Sequence, residues 1–143
     1  VDETSAAQEQ AGYVTISAKV EAELAEMSEQ DAREYLRTLG LGSTGLDRLI
    51  SAAYRTLDLI TFFTAGPKES HAWTVQRGAS APVAGGRIHS DFEEKFIRAE
   101  VASWQDIVTY GGEAGAKTKG KVRIEGREYI VQDGDILNIR SGV

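Results

Sequence analysis

The sequence predicts an α+β protein whose helices come first and whose sheet comes second. Three observations lead there. Leu46, Leu49, Ile50, Ala53, Tyr54 and Leu57 repeat with the spacing of one helical face. From Leu59 onward the apolar period switches from helical to extended. After the switch the order is strand, turn, strand, helix, strand, short helix and short strands, the arrangement of a β-grasp sheet closed over its helix.

Each element has a local reason. Tyr13 to Ile16 alternates as a β-branched apolar run and reads as a short strand. Val20 to Met27 is rich in Glu, Ala and Leu and continues as a helix. Ser28, with Asp31 three residues on, caps a second helix that ends near Leu39, where Gly40 supplies a left-handed stop. The striped helix begins near Ser43 or Thr44 and is expected to pack its apolar face into a core. Leu59 to Ala65 and Glu69 to Gln76 are strands joined by the turn Gly66-Pro67-Lys68. Pro82 suits the first turn of a helix over Ala81 to Ile88, although Gly85 and Gly86 weaken it. Phe96 to Ala102 is a further strand, and Ser103 caps a short helix holding Trp104, Ile107 and Val108. Val122 to Ile124 and Tyr129 to Val131 read as a hairpin around Glu125-Gly126. Asp133-Gly134 then turns the chain into a last strand over Ile136 to Arg140.

Bulk properties narrow the function classes. Hydrophobic residues make up 41% and charged residues 27% of the 143, a globular rather than disordered balance. No apolar run nears the roughly 20 residues that span a bilayer. Val1 to Gln10, acidic and polar, does not read as a signal peptide. Without cysteine there is neither disulfide nor thiolate metal site. A cytoplasmic protein is the expectation.

The net charge of −6 lies wholly in residues 1–58, where 11 acidic side chains face 5 basic ones; residues 59–143 carry 11 of each. Within that balanced half, Lys117, Lys119, Lys121, Arg123 and Arg127 crowd one segment against Glu125 alone. Such a segment can meet nucleic acid, or it can simply keep a loop and an edge strand soluble.

Most chemically suggestive residues have plainer roles. His89 and Asp91 flank Ser90 too closely in sequence to converge as a nucleophile triad, and a turn-capping His89 is expected. His71 is placed on the strand face opposite Trp73, and two histidines without a carboxylate pattern make no metal site. Asp91, Glu93 and Glu94 read as solvated acids. Phe62, Phe63, Trp73, Phe92, Phe96 and Trp104 supply the core and its lid. Phe62 and Phe63 point to opposite faces, and an exposed aromatic near Arg77 or Arg98 would suit RNA stacking.

Longer runs carry a resemblance. Phe62-Phe63-Thr64-Ala65-Gly66, Ala72-Trp73-Thr74, Ala81-Pro82, Ile88-His89, Asp91-Phe92-Glu93, Phe96 to Val101 and Val131 to Asp135 stand in the order and spacing of the ubiquitin-like TGS domain of YchF-type Obg-like ATPases. Gly45 to Ile50 resembles that family's connector, and Ile16 to Glu21 the last motif of its nucleotide-binding domain. His71 stands where the family usually has arginine, which removes a fixed charge, and Gly85 stands where it has alanine.

The resemblance implies three parts: 1–27 as the end of a P-loop nucleotide-binding domain, 28–58 as a helical connector and 59–143 as the TGS domain. It implies a ribosome-associated ATPase using ATP and Mg2+, with Ser17, Ala18 and Lys19 as a base-contacting loop, vestigial or completed by the missing domain. No cofactor is expected on this chain itself. The nearest string to a P-loop, Gly115-Ala116-Lys117-Thr118, lacks the second glycine and its flanking strand and helix, so no catalytic residue is assigned and the chain alone is expected to be inactive. No metal ligand is assigned either. RNA or ribosome contacts are expected from Lys117, Lys119, Lys121, Arg123, Arg127, Arg77 and Arg98; DNA and membranes are not expected as partners. The competing expectation is a protein-interaction module that docks on its own ATPase domain or on a partner. A third, weaker one is a TGS-like piece of an aminoacyl-tRNA synthetase or a stringent-response enzyme.

Overall fold

The computed structural model describes residues 13–66 and 69–142. It divides into two compact units, Val1–Leu57 and Asp58–Val143.

The first unit is helical. α1 (Ala18–Ala25) is capped by Ser17, α2 (Glu29–Thr38) by Ser28 and α3 (Gly45–Thr56) by Thr44. Ser28 Oγ accepts from the Asp31 amide at 3.2 Å, and Thr44 with Asp47 closes a reciprocal capping box. Gly40 takes φ 70°, the left-handed turn expected after α2. Leu24 and Leu36 are buried, Tyr35 donates its hydroxyl proton to Glu23, and the Gly45 amide donates to Glu21 Oε1 at 2.7 Å.

Two expectations fail in this unit. Residues 13–16 form no strand; instead the Thr15 carbonyl accepts from Arg48 Nη2 at 2.8 Å, a side-chain tether where a ladder was expected. The stripe on α3 is not buried. Leu46, Leu49, Ile50 and Leu57 remain 44% to 59% exposed, and Gly45 is the buried residue of that helix. Periodicity shows which face is apolar, but it does not supply a surface to cover that face.

The second unit is a mixed five-stranded sheet in the order β2-β1-β5-β3-β4. β1 (Leu59–Ala65) and β2 (Ser70–Gln76) form an antiparallel hairpin, with Pro67 and Lys68 of its expected turn outside the described residues. β5 (Asp135–Ser141) lies parallel to β1 and antiparallel to β3 (Phe96–Ser103), and β4 (Arg123–Glu125) pairs with the far side of β3. α4 (Ala81–Ile88) has Pro82 in its first turn. It buries Ala81 and Ala84 in one core with Ile60, Phe62, Val75, Ala99, Val101 and Leu137.

α5 (Ser90–Glu94) follows directly, capped by His89, whose Nδ1 accepts from the Asp91 amide at 3.2 Å. The capping role expected of His89 is present, and Asp91, Glu93 and Glu94 are exposed as solvated acids would be. α6 (Trp104–Thr109) and α7 (Glu113–Thr118) carry the chain from β3 to β4.

The expected 122–131 hairpin is absent among the described residues. Arg123–Glu125 is taken by β3, while residues 129–131 bind the start of α4: Ala81 N donates to Tyr129 O at 2.8 Å and Val131 N to Ala79 O at 3.0 Å. Backbone hydrogen bonds to distant segments replace the ladder that a local hairpin would have made. His71 also lies beside Trp73, with ring centroids 6.0 Å apart, because residues two apart on a strand share a face.

Candidate nucleic-acid interface on the open sheet face

Strand alternation sorts the sheet into two faces. Ile60, Phe62, Ala99, Val101 and Leu137 turn toward α4. Their neighbours turn the other way, so Phe63, Arg98, Glu100, Asn138 and Arg140 share the opposite face. Phe63 is half-buried there, Ala72, Thr74 and Gln76 are exposed, and Ile124 on β4 is 71% exposed.

Charge on this face centres on Glu100. Lys117 Nζ of α7 lies 3.1 Å from its Oε2, and Arg140 Nη2 lies 3.5 Å from its Oε1. The Lys117 hydrogen bond, aided by the nearby Lys117 and Arg140 charges, holds the carboxyl below the usual glutamate pKa against a smaller opposing effect of burial. Arg98 stands opposite Arg140 across the β3–β5 ladder. The sequence alone did not single out Arg140. Alternation along the last strand puts it beside Asn138, but its pairing with Arg98 needs the register.

The basic segment is more neutralised than its composition suggests. Lys117 serves Glu100, and Lys121 lies 3.8 Å from Asp106. Arg123 meets Glu125 at 3.2 Å and donates to the Tyr129 hydroxyl at 3.0 Å. Arg127 donates to the Phe96 carbonyl at 2.9 Å and lies over that ring. Lys119 is exposed, with no ion pair among the described residues. Arg77, after β2, pairs with Asp58 at 3.0 Å. Ser17, Ala18 and Lys19 lie in the other unit, where Ser17 caps α1 and Lys19 lies 3.9 Å from Glu23.

The family model YchF-GTPase_C, described as a protein of unknown function (DUF933), matches residues 59–142. The chain belongs to the YchF family. It is 51% identical over 133 residues to the ribosome-binding ATPase YchF of Escherichia coli O157:H7, covering 93% of this chain and 37% of that protein. It is 49% identical over 138 residues to the ribosome-binding ATPase YchF of Bacillus subtilis (strain 168), covering 96% and 38%. The structure of the Schizosaccharomyces pombe YchF GTPase superposes with a TM-score of 0.78 at 34% identity, covering 87% of this chain and 33% of that one. The chain therefore spans little more than a third of the length of these YchF relatives.

Gly115 to Thr118 is a helical segment and not the glycine-rich loop that the ATP implied by the YchF resemblance would need. It lies within α7, where a Cβ at Gly115 would clash with the Tyr110 carbonyl oxygen. Among the described residues, no three His, Asp or Glu side chains form a group that could hold a metal ion.

Proposed function

We propose that this chain is the C-terminal, ribosome- and RNA-facing part of a P-loop ATPase of the YchF type. On this reading residues 59–143 are a ubiquitin-like β-grasp domain of the TGS kind, which recognises and does not react. Residues 28–58 are the connector, and 1–27 close a nucleotide-binding domain whose ATP and Mg2+ sites lie outside this chain. The observation that carries the reading is the sheet face opposite α4, which carries Phe63 together with Arg98 and Arg140. The parallel β1–β5 pairing at the sheet centre supports the β-grasp assignment, and relatives named ribosome-binding ATPases support the partner. A cytoplasmic location follows from that partner.

Sedimentation with purified ribosomes across a salt series tests it. Binding that weakens steeply as salt rises, and weakens further when Lys117, Lys119, Lys121, Arg123 and Arg127 are all changed to alanine, is expected. Ribosome binding by the five-fold variant equal to that of the parent at every salt concentration removes the basic segment from the assignment.

One observation favours a second reading, docking on protein. The exposed leucine and isoleucine stripe of α3 is what a partner surface, or the family's own ATPase domain, would cover. Pull-down of a partner that survives nuclease treatment and is lost in Leu49→Asp would support it.

A further inference from the structure

Resting on the RNA-facing reading, we infer that Arg98 and Arg140 form a two-arginine clamp for the phosphates of an RNA backbone, with Glu100 setting how much positive charge the clamp presents.

The argument starts from a cost. Like charges directly opposite on antiparallel strands destabilise a sheet, and the register places Arg98 opposite Arg140. Glu100, one step along the same strand face, offsets this only in part. Its two oxygens are divided between Arg140 at 3.5 Å and Lys117 at 3.1 Å, and Arg98 has no acidic partner among the described residues. Three cations around one carboxylate leave a local charge of +2, on a face that the core does not require to be charged. Folding gains from the Glu100 pairs but not from Arg98 facing Arg140, a juxtaposition that a polyanion laid across the ladder would relieve.

The side-chain type narrows the ligand. Guanidinium groups present a planar fork that binds phosphate oxygens in pairs, where lysine offers only a point charge. Asn138, cross-strand from Glu100, adds an uncharged donor and acceptor between the clamp and Phe63. Phe63 pairs with Ile136, four residues before Arg140 on the same face. At strand rise this is ~13 Å from the arginines, a span that lets a base stack on the ring while the backbone runs to the clamp. Most cations of the 117–127 segment are already engaged by Glu100, Asp106, Glu125 or the Phe96 carbonyl. Arg98 has no such partner among the described residues and Arg140 has only the 3.5 Å contact with Glu100, so the arginine pair is the better phosphate site.

Fluorescence anisotropy of the 143-residue chain with a labelled oligouridine probe, across a salt series, tests the clamp. Arg98→Ala with Arg140→Ala should make the slope of log K against log salt shallower by about 1.4, two phosphates at about 0.7 each for single strands. Arg98→Lys with Arg140→Lys should restore most of the slope. Glu100→Gln should tighten binding several-fold, because it releases Arg140 and Lys117; a purely structural Glu100 would loosen it. Urea midpoints for each variant separate these effects from loss of fold. A double-alanine variant that is folded and keeps the parent slope overturns the clamp while leaving ribosome binding intact. Competition by oligoglutamate as effective as that by unlabelled oligouridine overturns the RNA assignment. A parent chain that binds neither oligouridine nor ribosomes overturns both the clamp and the reading beneath it.

Discussion

The Tyr129 hydroxyl donates to Asp135 Oδ2 at 2.8 Å, joining the segment before the last strand to the first residue of that strand. Asp135 is buried, and the same oxygen accepts from the Gln132 amide at 2.9 Å. Burial first, and then the Asp135 hydrogen bond, push the phenol pKa up to about 12.

Tyr129→Phe should therefore destabilise the chain by about 1–2 kcal/mol near neutral pH, by leaving a buried carboxylate one donor short. The folded state holds this proton more tightly than the unfolded chain, which releases it near pH 10. The contribution is intact below about pH 10 and disappears as pH climbs toward 12. Urea unfolding of parent and variant across that window should show their difference closing; a constant difference would refute the assignment.

Glu100 has the opposite sign. Its lowered pKa makes its bonds to Lys117 and Arg140 stabilising above the ordinary glutamate value of 4.5, with the gain lost as pH falls through the lower folded value. The stability difference between the parent and Glu100→Gln should shrink as acid is added below that value. Denaturation midpoints that stay parallel down the acid limb would show that the carboxylate makes no linked contribution.

Phe62 is fully buried at the centre of the sheet core, so Phe62→Ala should cost about 3–5 kcal/mol through lost transfer energy and the cavity left behind. Ile124→Ala, on the exposed edge strand, should change stability by less than about 0.5 kcal/mol. Similar losses for the two would mean that the sheet faces are reversed.

Gly115→Ala tests the packing of α7. Alanine in place of helical glycine ordinarily stabilises by about 0.5–1 kcal/mol. Here the new Cβ would clash with the Tyr110 carbonyl oxygen, a backbone atom that cannot swing aside. The sign should reverse, with a loss of about 1–3 kcal/mol. Gly126→Ala, with no atom within 4 Å of the added carbon, should be nearly neutral. Calorimetric melting of both variants decides between the two signs.

Local rules were enough wherever the deciding partner was close in sequence. Ser28 with Asp31, Ser103 with Asp106 and Pro82 at a helix start each act within one turn, so α2, α6 and α4 were legible. The β1–β2 hairpin and the last strand followed from period and turn residues. The choice of β3 as the partner of Arg123–Glu125, and of the start of α4 as the partner of residues 129–131, was not legible, because both depend on backbone partners brought together from distant segments. The same limit governs the candidate site. The lysines and arginines of 117–127 could be read from the chain, but Lys117 meets its neutralising acid 17 residues away.

The sequence by itself determined the α+β class, the family resemblance and which residues carry positive charge, since these are properties of residue type and near spacing. Only the tertiary structure decided which cations are already engaged and that Arg98 faces Arg140 across a ladder. Strand register is set by packing between distant segments, and the electrostatics of a sheet face follow from register.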